Sequence, residues 1–151
     1  MTPVTLTPGE ILRAAIVGVM RQVRGLQEGL VATDGAKKSQ YWQIHIDGAL
    51  GECALAKHLG LYWSGVGELR QTDVGGTTGV DVRTRSEHHL DLVIKDKDPD
   101  DRRFYLVTGS YGSYQVHGWI MGRDGKQQKW WSDAGGRQLY FVPQSELNTD
   151  D

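Results

Sequence analysis

The stretch Thr72–Arg85, TDVGGTTGVDVRTR, governs how the rest of the chain is read. Asp73 opens a glycine-rich turn, and Asp81 opens a β-like run that continues Val82, Arg83, Thr84. Side chains at i and i+2 of a strand share a face, so Asp81 and Arg83 point the same way. Glycines at 75, 76 and 79 let the chain double back and bring Asp73 beside Asp81. Two carboxylates about 4 Å apart repel by roughly 4 kcal/mol at an effective dielectric near 20. A fold keeps such a pair if one acid is protonated, if a cation sits between them, or if they are in fact far apart. A divalent metal with oxygen ligands is the usual cation.

A third acid, Glu52, lies in the small, apolar helical stretch Gly48–Lys57. Helical spacing sets it on one face with His45, Gly48, Ala49, Leu55 and Ala56, where a glutamate is expensive to bury unless paired. That helix is expected from just after Ser39 to Leu59, with Gly60 as its stop. Gly48 and Gly51 inside it each cost about 1 kcal/mol relative to alanine, which implies a break near Asp47-Gly48 or close packing. An earlier helix begins at Thr7-Pro8-Gly9-Glu10, which has the form of a capping box with proline at the first position. Its apolar residues from Ile11 to Leu26 recur at helical spacing to about residue 30, and Thr33-Asp34-Gly35 breaks it.

From Gly65 onward the pattern changes to short strands, predicted near Val80–Thr84, Leu90–Ile94, Phe104–Gly109, Tyr114–Met121 and Gln138–Val142. Residues from Asn148 to the end are expected to fray. Helices first and a mostly antiparallel run of strands afterwards give an α/β or α+β class with a mixed sheet.

The 151 residues suit one domain, and 38% apolar with 24% charged residues argues against disorder throughout. The net charge of −2 gives no bulk attraction to nucleic acid, yet leaves room for a local basic groove. Cys53 is the single cysteine, so neither a disulfide framework nor a Cys-x-x-Cys zinc site is available. Without a signal-like or membrane-spanning segment, the expectation is a soluble, cytoplasmic chain.

The order of segments resembles the PD-(D/E)xK phosphodiesterase superfamily, the restriction-endonuclease-like nucleases. Their pattern is a helix-borne glutamate, an aspartate, a short turn, then a strand carrying acid-x-lysine. Here it reads Glu52 in GECALAK, Asp73 in TDVGG, and Asp81-Val82-Arg83. The segments KDPDDR (97–102), YLVTG (105–109), HGWI (117–120) and YFVP (140–143) look like small phage-type members of that group. The resemblance covers about residues 41–145.

It implies a central mixed β-sheet flanked by helices, in one nuclease-like unit with an N-terminal helix (1–35), a core (36–147) and a tail (148–151). It further implies hydrolysis of phosphodiesters, with DNA as the expected substrate, by a site in which Asp73, Asp81 and Glu52 hold Mg²⁺ or Mn²⁺. Arg83 stands where lysine is expected. Arginine can steady a phosphate bidentately but is a poor proton acceptor. Lys95 is the substitute if strands 80–84 and 90–95 pair as a hairpin in the register that sets it beside Asp81 and Arg83. Lys97 is the fallback. A nucleic-acid path would use Lys37, Lys38, Arg102, Arg103, Lys126 and Lys129. A homodimer is compatible with all of this, and the oligomeric state is left open.

Each signal also has a plain reading: Asp73 as a turn residue, Asp81 and Arg83 on a solvent-facing edge strand, Glu52 as a helix-surface charge. The five histidines show no metal-ligand spacing and are expected at the surface or in the core. Trp130-Trp131 could stack on bases or cap the core, and capping is favoured. The rival to a nuclease is an inactive member of the same fold that binds nucleic acid or a protein partner, and Arg83 in the lysine position keeps that rival alive.

Overall fold

Thr7 starts the first helix in the way its neighbours dictate. Its hydroxyl accepts from the Glu10 amide at 3.3 Å, and the Glu10 carboxylate accepts from the Thr7 amide at 2.7 Å. Helix α1 (Pro8–Glu28) closes at Gly29, whose φ of 65° supplies the left-handed turn at the end. Helix α2 (Tyr41–Leu59) ends in the same way at Gly60. The computed structural model describes residues 1–29, 37–65, 72–76 and 79–150. The expected break at Thr33-Asp34-Gly35 lies outside them.

Helix α2 runs unbroken through Gly48 and Gly51, so the alternative to a break holds, but at one glycine only. A Cβ on Gly51 would collide with the side chain of Thr84, whereas Gly48 faces open space. Gly18 of α1 plays the matching part against α2: a Cβ there would lie 2.5 Å from the Ile46 Cα. Both helices therefore pack with backbone close to a neighbour, α1 on α2 and α2 on the sheet.

Four strands form the main sheet: β1 (Thr2–Thr5), β2 (Asp81–Arg85), β4 (Arg103–Ser110) and β5 (Ser113–Met121), in the order β1-β5-β4-β2. β1/β5 and β5/β4 are antiparallel, and β2 pairs with β4 in parallel. The parallel pair requires a long crossover, and residues 86–102 provide it. That crossover carries β3 (Leu92–Lys95), which joins β7 (Leu139–Val142) and β6 (Trp131–Ser132) in a second sheet ordered β3-β7-β6. The expected 80–84/90–95 hairpin is thus not formed. Alternation reveals which side of a strand is buried, not which strand lies beside it, and Leu92 and Ile94 are buried by stacking over β4. The short turn of helix α3 (Gly122–Gly125) follows β5.

β4 divides the interior. Tyr105 and Val107 point toward the helices with Leu50, Ala54, Leu55, Val74, Val82 and Val116. Phe104 and Leu106 point toward the second sheet with Leu92, Ile94, Ile120 and Val142. The architecture is α+β in three layers: helices, main sheet, small sheet. Asn148 and Asp150, expected in a fraying tail, are tied down. Asn148 exchanges backbone hydrogen bonds with Trp119 at 2.8 and 2.9 Å, and Tyr105 donates to Asp150 at 2.7 Å. Trp130 packs on the second core and Trp131 lies 4.8 Å from the Tyr140 ring, so this pair caps the core.

Candidate functional site: acids and arginines at the edge of the main sheet

β2 is an edge strand, and its pleat sorts its side chains. Val82 belongs to the helix-side core and Thr84 lies under Gly51 of α2, so Asp81, Arg83 and Arg85 take the opposite face. Asp81 and Arg83 therefore share a face, as the i, i+2 spacing requires. The glycine turn also does what its composition suggests. Val74 and Val80 form an antiparallel bridge, with Gly75 and Gly76 at φ of 84° and 68°. The Val82 amide donates to Asp73 at 2.8 Å, and the Asp73 amide donates to Asp81 at 3.4 Å. Each aspartate is tied to backbone next to the other.

Glu52 approaches from α2. It is buried, and its carboxylate is fully engaged by Arg21 of α1 through a bidentate pair at 2.7 and 2.8 Å, with Trp63 Nε1 donating at 2.9 Å. Asp81, equally buried, receives Arg102 at 3.2 and 3.5 Å. Asp73, between them, carries the electrostatic cost. Burial first, then the charge of Glu52, and further the charge of Asp81, push its carboxyl up to about 7, against the opposing pull of the Val82 amide and Arg83. A group at that value changes charge near neutral pH.

The three acids are electrical neighbours without forming one cage. Among the described residues, no group of three or more His, Cys, Asp and Glu side chains is arranged to hold a metal ion. The reason is visible in the pleat: Glu52 lies on the helix side of β2, Asp81 belongs to the other face, and each already has an arginine.

The remaining expected site residues are placed as follows. Arg83 donates to Val93 O at 3.1 Å and to Asp98 at 2.6 Å, with its guanidinium 4.8 Å over Phe104, so it clamps β2 to the second sheet. Lys95 does not share the face of Asp81 and Arg83. Leu92 and Ile94 fill the core of the small sheet, and alternation sends Lys95 to that sheet's other side. Lys97 is exposed on the following turn. Lys126 binds Asp98 O at 2.6 Å and Asp100 at 2.7 Å, Arg103 stacks 4.2 Å over Trp119, and Lys129 lies 4.6 Å over Trp130. Lys37 and Lys38 are exposed where the chain enters α2. Of the six basic residues expected along a nucleic-acid path, Arg102 is the one seen on Asp81.

Arg21 and Trp63 are the contributors that sequence reasoning missed. The signal for Arg21 was the stripe Ala14, Gly18, Gln22, the buried face of α1, beside which it falls at helical spacing. No comparable signal marks Trp63, which also walls a cleft of about 270 Å³ lined by Arg13, Cys53, Lys57 and Tyr62. Burial pushes the Cys53 thiol up, which keeps it protonated and a poor nucleophile.

The histidines hold one surprise. The Thr108 hydroxyl lies 2.7 Å from both His88 Nδ1 and His117 Nε2. A bulge creates this chain: Leu106 faces Gly118 while Val107 faces Val116, leaving His117 as the extra residue. Burial, with His88 nearby, pulls the His117 imidazole down and keeps it neutral.

Set against known proteins, the chain matches no family model, no curated protein and no solved structure.

Proposed function

We propose that the chain is a metal-dependent phosphodiesterase of the restriction-endonuclease-like kind, acting on DNA with Mg²⁺ or Mn²⁺. One observation supports it most: Asp73 and Asp81 are locked together by a glycine turn, with the buried Glu52 close enough to raise Asp73. Crowding acids at such a point is unfavourable unless one is protonated or cations compensate, and a divalent ion would take over the part that Asp73's raised protonation now plays. Hard carboxylate oxygens are the donors that Mg²⁺ and Mn²⁺ prefer. Asp73 and Asp81 would hold the ion once Arg102 gives up Asp81, with Glu52, engaged by Arg21 on the helix side of β2, reached through water. When bound, such an ion supplies a water of lowered pKa and offsets charge on the phosphate.

The chain's own residues divide the rest. Arg102, now on Asp81, is the cation placed to turn toward a non-bridging phosphate oxygen once Asp81 changes partner. Arg21 and Trp63 fix the orientation of Glu52. Arg83 holds the strand in place through Asp98 and Val93, a positioning role in place of the phosphate contact expected from its sequence position. Burial and the charges of Glu52 and Asp81 raise Asp73 in the metal-free chain, and a bound divalent ion would favour its ionised form.

A second reading has its own support. Arg21 and Arg102 already neutralise Glu52 and Asp81, and that is how a nuclease fold without activity, kept for binding nucleic acid or a protein, would stabilise the same acids. Thermal melting with and without Mn²⁺ or Mg²⁺, alongside cleavage of plasmid and single-stranded DNA, separates the two. A catalytic site gains several degrees from metal by mass action, and Asp81→Ala loses both the gain and the cleavage while staying folded. No metal-induced shift and no cleavage by the wild-type chain would leave only the binding reading.

A further inference from the structure

Helix α1 buries the wrong face for its composition. The residues it buries fully are Ala14, Gly18 and Gln22, small or polar, with Ile11 partly buried against the core and Val17 beside Gly65. Its large apolar side chains instead face outward: Leu12, Ile16, Val19, Met20, Val23 and Leu26 are 38% to 63% exposed. An amphipathic helix of a monomer does the reverse.

The exposed set is ordered. Leu12, Ile16, Val19, Val23 and Leu26 follow steps of four, three, four and three, the spacing of a coiled-coil seam, and Met20 lies alongside. The seam runs about 21 Å along the helix at 1.5 Å per residue. Glu10, Arg13, Arg21, Arg24 and Glu28 fall in other sectors, so no charge interrupts it. The six side chains expose roughly 600 Å² together, at or above the largest apolar patch usual for a monomer.

We propose that this chain is a two-fold dimer in solution, joined by antiparallel packing of α1 on the α1 of a second copy. Two arguments choose that occupant. Covering the stripe on both copies removes about 1,200 Å², the lower end of a stable specific interface. The stripe is also close to palindromic in size. A two-fold axis near Val19 sets Leu12 against Leu26 and Ile16 against Val23, as an isologous contact demands. A membrane surface is the poorer fit: of the three arginines of α1, Arg21 is taken by Glu52, Glu10 and Glu28 offset Arg13 and Arg24, and the helix has no lysine, tryptophan or phenylalanine. The dimer bears on the acids as well, since Arg21 reaches Glu52 from this same helix.

Sedimentation equilibrium of the full chain between about 1 and 100 μM tests it. The wild type is expected at twice the chain mass. Ile16→Glu/Val23→Glu is expected as a monomer, at least about 100-fold weaker in association, with unchanged far-UV circular dichroism. If that variant fails to fold, Val19→Ala/Val23→Ala provides the milder version of the same weakening. Leu12→Cys/Leu26→Cys in a Cys53→Ser background should oxidise to a covalent dimer, whereas Leu12→Cys alone should not. A monomeric wild type at about 100 μM overturns the proposal. So do a dimer indifferent to both seam variants, self-linking of Leu12→Cys alone, or binding of the monomer to anionic vesicles.

Discussion

Replacing Arg21 with methionine removes the guanidinium that holds Glu52 and leaves a carboxylate that is 7% exposed with Trp63 as its described donor. Removing one partner of a buried pair typically costs 3–5 kcal/mol, because the other charge stays behind uncompensated. Two features move the expectation to the low end. Arg21 is itself 22% exposed, so water can follow into the space it vacates. Its Nε is also buried without a hydrogen-bond partner among the described residues, a cost that the substitution relieves. The expected loss is about 3 kcal/mol, or a fall in Tm of roughly 6–12 °C for a chain of this size. Urea unfolding at constant m value measures it. The double variant Arg21→Met/Glu52→Leu, with both charges gone, should return to within about 1 kcal/mol of the wild type. A loss below about 1 kcal/mol for Arg21→Met, or a double variant as unstable as the two single changes summed, would refute the description of the pair as buried and mutually dependent.

Asp73→Asn should change how stability depends on pH in metal-free buffer with EDTA. The folded-state value near 7 exceeds the unfolded value near 3.9, so the native chain holds the extra proton between them, and the associated stability is full below pH 4 and lost by pH 7. The wild type should lose up to about 4 kcal/mol more than the variant over that window, an upper bound because Asp73 is partly exposed; parallel urea midpoints at pH 4.5 and 7.5 would count against it. Within α2, two glycine-to-alanine changes should have opposite signs. Gly48→Ala adds a methyl into open space and should stabilise by up to about 1 kcal/mol, while Gly51→Ala drives it into Thr84 and should cost about 1–3 kcal/mol, both read by thermal melting.

The elements were legible where local chemistry decides them. Thr7 with Glu10, and Gly60, set helix ends through hydrogen bonds and φ values that a few adjacent residues determine, whereas the stop of α1 at Gly29 was not read from the sequence. The strands expected at 80–84, 104–109 and 114–121 are found at 81–85, 103–110 and 113–121, from short runs bounded by turn residues, and Asp73 meets Asp81 because glycines permit the turn. What stayed hidden depends on distant partners. Nothing in Leu92–Lys95 says that it pairs with β7 instead of β2, and Lys95 was misplaced for that reason alone. β1 is four residues, Thr-Pro-Val-Thr, too short for a pattern of its own. The pairing of Arg21 with Glu52 spans 31 positions, beyond what the spacing of one helix can reveal.

Because β4 gives alternate side chains to two separate hydrophobic clusters, neither cluster can be opened without disturbing the strand that walls the other. Amide deuteration should therefore be slowest along Phe104–Val107 and show whole-molecule energetics there. Loosening on the small-sheet side, for instance at Ile94, should be felt across the strand as faster exchange beneath the helices.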